Sequence, residues 1–272
     1  MSFLEAIIIA IVEGLTEFLP VSSTAHMIFT ETLLKIKHDN FVELFTYCIQ
    51  FGAILAVVVL YWKKFFDFSR INFYLKLACG VLPALVLGKL LDDYISAAFE
   101  NVTTIAIVLV LGGIFLLFVD KMFKNPKIRD EKQVSIKQAV IIGFWQCLAM
   151  MPGVSRSAAS IIGGMQQKLS RETAAEFSFF LAVPTMLAVT VYALTFKKWD
   201  VGNDAAIRGY EMLANNSDQL WLFFWGNVVA FVVAMLAIKF FVGMIKKYGF
   251  KMWGWYRIIV GIAIFICIKW IL

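Results

Sequence analysis

The sequence predicts an all-α polytopic membrane protein: six transmembrane helices plus two re-entrant helix hairpins, arranged as an inverted-topology repeat. Three observations predict it. Of 272 residues, 61% are hydrophobic and only 16% charged, whereas a soluble domain averages about 45–50% apolar and about 25% charged. The apolar residues lie in long uncharged runs separated by short loops whose net charge alternates in sign. The chain also repeats itself at a fixed offset.

Six runs reach the roughly 20 residues needed to cross a bilayer, at approximately 43–62, 72–91, 101–120, 176–196, 220–241 and 253–271. Two more apolar regions, 3–36 and 138–169, break at a proline followed by polar residues: Pro20-Val-Ser-Ser-Thr-Ala-His26 and Pro152-Gly-Val-Ser-Arg-Ser157. Each half is short for a span and suits a hairpin that enters and leaves on one side. The N-terminus lacks a basic n-region and carries Glu5, Glu13 and Glu17, so it reads as part of the fold rather than as a cleaved signal peptide.

Loop charges give the orientation. Loops 63–76, 121–138 and 242–252 carry net +3, +4 and +3; 92–100 (Asp92, Asp93, Glu100) and 197–219 carry −3 and −1. By the positive-inside rule the basic loops are cytoplasmic and both termini face outward. A hairpin and a pair of full spans preserve this parity equally, so charge does not separate them. The overall +6 would point to nucleic acid in a soluble protein; here it reports orientation, and no nucleic-acid partner is expected. Cys48, Cys79, Cys147 and Cys267 lie in apolar segments without a CxxC pair and read as small buried hydrophobes.

Shifting the chain by 133 residues lays Glu13 on Gln146, Val21 on Val154, Ser22 on Ser155, Thr24 on Ser157, Ala25 on Ala158 and Glu43 on Glu176. One domain, 1–272, thus divides into repeat halves of about 1–120 and 138–272, each a broken hairpin plus three spans. Three is odd, so the second half inserts upside down relative to the first, an architecture that brings broken helices together near the membrane centre.

Two clusters carry chemistry. In the first, Glu13 and Glu17 share a helix face; their repulsion and desolvation would be relieved by a shared cation or proton. Ser22, Ser23 and Thr24 follow Pro20, where capping is the ordinary role but anion binding at free N–H groups is also available. His26 is placed to act as a base or acid. In the second, Arg156 is costly in a bilayer unless paired, and its fork suits phosphate. Gly153 allows close backbone approach, and Ser155 and Ser157 add donors. Pairing of Arg156 with Glu13, Glu17 or Glu176 would bring the two clusters together. No P-loop, HExxH or GxSxG is present. The residues alone leave two readings, a lipid-phosphate hydrolase and an anion transporter.

At these residues the chain resembles the undecaprenyl-pyrophosphate phosphatase (bacitracin-resistance) family. The matching segments are Glu13-GLT-Glu17-FLPVSST-Ala-His26 and PG-Val-SRS-Ala-Ala-Ser160, supported by Gln50-Phe-Gly-Ala and Glu176-Phe-Ser-Phe-Phe. The resemblance spans nearly the whole chain. It implies a bacterial inner-membrane enzyme that removes the terminal phosphate from a C55 polyprenyl pyrophosphate, with a site opening outward and a divalent cation, Mg²⁺ or Ca²⁺. It implies Glu13, Glu17, Ser23, His26 and Arg156 as catalytic, with Glu13 and Glu17 on the cation. Ser22, Thr24, Gly153, Ser155, Ser157 and Gln50 are expected to contact substrate. A carrier of the lipid phosphate across the membrane is the alternative. Ala25 and Ala158 stand where the family usually has Gly, narrowing both tips slightly. Gly80 and Gly88, with small neighbours, are a slight pointer to a homodimer.

Overall fold

A computed structural model of the chain describes residues 1–91, 94, 101–200 and 206–271; the acidic residues Asp92, Asp93 and Glu100 lie outside the described residues. Among the described residues ten helices of eleven residues or more make up the bundle: α1 Phe3–Thr16, α2 Ser23–Leu33, α3 Asn40–Leu60, α4 Ile71–Leu90, α5 Val102–Met122, α6 Ile136–Cys147, α7 Arg156–Gln166, α8 Arg171–Val191, α9 Ser217–Tyr248 and α10 Lys251–Ile271. Helices α3, α4, α5, α9, α10, and α8 with its π-helical extension to Phe196, are long and apolar enough to cross a membrane. All six coincide with the runs read from the sequence. The protein is a multi-pass, all-α membrane protein.

The broken regions are four short helices. Helices α1 and α2 hold 14 and 11 residues, and α6 and α7 hold 12 and 11. At about 1.5 Å per residue none covers a hydrocarbon core about 30 Å thick.

Their local chemistry is duplicated. Ser2 and Glu5 form a capping box on α1, with Ser2 N–H donating to Glu5 Oε2 at 2.6 Å and Glu5 N–H to Ser2 Oγ at 3.3 Å. Ser135 and Gln138 do the same on α6, at 2.9 and 3.3 Å. The N-caps of α2 and α7, Ser22 and Ser155, sit at φ 69° and 76°. Both helices close on a left-handed lysine, Lys35 (φ 53°) and Lys168 (φ 69°). The next residue returns a 6→1 hydrogen bond, Ile36 N–H to Glu31 O and Leu169 N–H to Gly164 O.

Packing follows the same pattern. Helix α1 runs along α9, and α6 along α4. Helices α3 and α8 pack on each other at the centre, while α5 and α10 pair and α5 also meets α2. Aromatic side chains fill the seam between the halves, with Phe18 edge-on to Phe179 at 5.3 Å and Tyr61 edge-on to Phe180 at 5.0 Å. Helix crossings are tight where side chains vanish: a Cβ on Gly52 would fall 2.3 Å from Asn227 O. Gly80 packs inward the same way, against Ala139 and Leu181.

The basic loops gather at one end. Arg70 and Lys64 pair with Glu131 at 2.6 and 3.3 Å, and Arg171 with Asp120 at 2.7 Å. At the other end Lys197 pairs with Glu43 at 2.7 Å, beside a two-stranded β-hairpin (Lys198–Trp199, Ile207–Arg208) and the short helix Gly209–Asn215. These last elements were not legible in the apolar pattern.

Candidate active site

The two hairpin tips meet in the interior. Helix α1 ends at Thr16, and Glu17 caps it; the chain then turns through Pro20 and Ser22 into α2, which opens on Ser23. The second tip turns through Pro152 and Gly153 into α7, which opens on Arg156. Gly153 stands at φ +92°, a conformation that favours glycine, and a Cβ there would meet Ile105 O at 2.8 Å.

A buried polar chain links the tips. Arg156 donates to Glu17 Oε1 from Nη2 at 3.0 Å and from Nε at 3.2 Å. Ser23 Oγ donates to the other carboxylate oxygen of Glu17 at 2.6 Å. The Nη1 of Arg156 donates to the Ser178 carbonyl at 3.0 Å. Ser160 Oγ in turn bonds Ser178 Oγ at 2.6 Å and Arg156 O at 2.8 Å. Glu17, Ser23 and Arg156 are each buried. Arg156 thus pairs with one of the three carboxylates available to it, while Glu176 is taken by Lys64 at 3.4 Å.

Glu13 lies one turn below Glu17, fully buried, and neither carboxylate oxygen has a hydrogen-bond partner among the described residues. An orphaned carboxylate beside a second one fits a proton or a divalent cation. Mg²⁺ is ordinarily held by one or two carboxylates together with substrate phosphates. Among the described residues no three His, Cys, Asp or Glu gather into a metal cage, so a cation at Glu13 and Glu17 would need ligands beyond these two carboxylates.

Other expected residues are placed differently from one another. Ser157 Oγ donates to Leu19 O at 2.6 Å, and Ser155 Oγ to the same carbonyl at 3.5 Å. Both therefore tie the second tip to the first. His26 Nδ1 donates to Ser22 O at 2.8 Å, which leaves Nε2 to accept from Tyr256 at 2.9 Å. The His26 ring makes no hydrogen bond to Ser23 or Glu17. Thr24 is half-buried, and Gln50 sits on α3 bonding Thr46 O at 3.4 Å. No hydrogen bond joins Gln50 to the tip residues.

Comparison with known proteins decides the lineage. The family model described as bacitracin resistance protein BacA matches residues 6–263. The chain belongs to the BacA family. Curated relatives named undecaprenyl-diphosphatase include one from Flavobacterium johnsoniae, 53% identical over 97% of this chain and 95% of the relative. Others come from Porphyromonas gingivalis, at 48% over 96% and 95%, and Bdellovibrio bacteriovorus, at 43% over 98% and 96%.

Three residues of this BacA-family chain enter the geometry without having been singled out in the sequence. Ser178 holds the Arg156 side chain, Tyr256 holds His26, and Arg257 contacts both tips. Arg257 carried a readable signal, since an ionisable residue inside a span is functional by default. Serines in an apolar helix carry none, because their ordinary role is to bond their own backbone.

Proposed function

We propose that this chain hydrolyses undecaprenyl diphosphate to undecaprenyl phosphate and inorganic phosphate, recycling a lipid carrier of cell-wall synthesis and conferring bacitracin resistance. The observation that carries the reading is the buried chain Ser23–Glu17–Arg156 in a full-length relative of undecaprenyl-diphosphatases. A hydroxyl 2.6 Å from a carboxylate is a nucleophile beside its base. A guanidinium 3.0 Å from that carboxylate is a phosphate clamp held ready.

In this mechanism Arg156 exchanges part of its contact with Glu17 for the pyrophosphate oxygens and stabilises the charge that spreads over the transferring phosphoryl. Glu17 then takes the proton of Ser23 Oγ, or of a water in its place, as oxygen attacks the terminal phosphorus and the bond to the bridging oxygen breaks. Where Ser23 attacks, a water then cleaves the phosphoserine, releasing inorganic phosphate and restoring the hydroxyl. His26 would shuttle the proton released in the attack to the departing lipid monophosphate, taking it on Nε2, the ring nitrogen free to accept. Glu13 and Glu17 would hold a divalent cation, which supplies charge neutralisation at the phosphates. Ser22, Thr24 and Gly153 line the same tips and contribute donors and room.

The hairpins are re-entrant and the two halves form an inverted repeat. Supporting this, the four described non-glycine residues at positive φ fall into two pairs 133 apart, Ser22 with Ser155 and Lys35 with Lys168. The cross-half ion pairs Glu43–Lys197 and Lys64–Glu176 are related by the same offset. With the basic loops cytoplasmic, the enzyme sits in the bacterial inner membrane and its site opens outward.

The deciding experiment is phosphate release from C55 pyrophosphate by detergent-purified protein, with and without chelator, beside Arg156→Ala. Metal-dependent release lost in the variant is expected. No release by folded wild-type protein with Mg²⁺ or Ca²⁺ present would overturn the enzyme reading and leave the carrier.

A further inference from the structure

Helix α10 carries a second buried arginine whose bonding differs in kind from that of Arg156. Arg257 is 1% exposed, and among the described residues it makes no ion pair. Each of its four hydrogen bonds goes to a main-chain carbonyl. Nη2 reaches Gly153 O at 2.5 Å; Nη1 reaches Val154 O at 3.0 Å and Pro20 O at 3.4 Å; Nε reaches Leu109 O at 3.3 Å. Pro20 belongs to the first hairpin tip, Gly153 and Val154 to the second, and Leu109 to α5.

These carbonyls need an external donor for a definite reason. Each tip is a break between two helices, so its peptide groups lack intrahelical partners, and those facing Arg257, itself 1% exposed, are closed off from solvent that could satisfy them. One planar fork with five donors can serve both tips at once, which fixes their separation. A lysine ammonium is a compact point charge and cannot reproduce the span. The neighbouring helix makes room for the fork: a Cβ on Gly112 would land 2.3 Å from Nη2 and 2.8 Å from Cζ. The preceding residue, Tyr256, holds His26.

We infer that Arg257 is a positioning residue that locks the two hairpin tips in register, so that Ser23 from one and Arg156 from the other face a single phosphate. The inference rests on the phosphatase reading for its kinetic consequence, but its structural content stands apart from it. Ser157 and Ser155 tie the tips through Leu19 on one side; Arg257 ties them through Pro20, Gly153 and Val154 on the other. Loss of the fork frees the tips to shift while both catalytic side chains remain present on their helices.

The test uses full-length protein in detergent, as wild type, Arg257→Lys and Gly112→Ala. The second variant keeps the arginine and its charge but displaces the guanidinium, so it remains decisive if the lysine variant fails to fold. A displacement near 1 Å at reacting groups costs on the order of 100-fold in rate. Both variants are therefore expected to lose about that much kcat with KM little changed, a loss larger than any fall in their unfolding midpoints accounts for. Hydrogen exchange of peptides covering both tips is expected to accelerate in both variants. The exchange readout also applies to a wild type that releases no phosphate, which would sink the phosphatase reading but not the lock. Unchanged tip exchange, or wild-type kcat in Arg257→Lys, would overturn the inference. So would a kcat loss that only follows a fall in the melting midpoint.

Discussion

At the scale of single residues, the site is a set of mutual dependences, and truncating one member exposes another. Glu17 is the shared acceptor of Ser23 and Arg156. Glu17→Gln keeps the shape but removes both the base and the countercharge, so phosphate release is expected to fall at least about 100-fold, within the range general-base loss produces. A Glu17→Gln protein with wild-type turnover in a phosphate-release assay would exclude that role. Arg156→Ala leaves Glu17 buried without its partner, a change that typically costs about 3–5 kcal/mol. Its melting midpoint is expected to drop along with its activity, measured by tryptophan fluorescence on heating. Tyr256→Phe is subtler. It removes only the hydroxyl donating to His26 Nε2, so stability should hold while kcat falls by about tenfold, less than complete loss of an acid–base group. An unchanged kcat would mean that His26 needs no partner on α10.

At the scale of elements, close crossings decide which helices can meet. Gly52 on α3 faces the Asn227 backbone of α9, whose side chain accepts the Gly52 N–H at 2.9 Å. Gly52→Ala is expected to destabilise by about 1–3 kcal/mol through forced separation, with turnover per folded molecule unchanged. A midpoint equal to wild type would show that the crossing yields. Elements are also where sequence and structure can be compared. The six spans were legible because lipid demands long uncharged runs, and the two breaks because Pro20 and Pro152 interrupt such runs with polar residues. The pairing of Arg156 was legible as a necessity, though not which of Glu13, Glu17 or Glu176 would take it. Several features were not legible. Ser155 and Ser157 bind Leu19 O rather than standing free, which depends on how two tips dock and not on spacing within either. The β-hairpin and short helix between α8 and α9 lie in a mixed polar segment with no clear period.

At the scale of the whole molecule, charge distribution and repeat symmetry make one joint claim about orientation. The two cross-half ion pairs lie at opposite ends of the central α3–α8 pair, since Glu43 is in the first turn of α3 and Lys64 lies past its end, while Glu176 is in the second turn of α8 and Lys197 lies past its end. The basic loops share the Lys64 end. If that end is cytoplasmic, exposed positions Ser69, Lys124 and Lys247 lie inside, and Lys37 and Asn215 lie outside. The four native cysteines are free and unpaired, so replacing them with alanine gives a silent background for single-cysteine probes. In intact spheroplasts a membrane-impermeant maleimide is expected to label Lys37→Cys and Asn215→Cys at once. Ser69→Cys, Lys124→Cys and Lys247→Cys should label only after the membrane is opened. The reverse pattern would invert the orientation and turn the site to the cytoplasm. A split within either set would break the repeat itself, because odd spans per half leave no other way for both sets to be consistent.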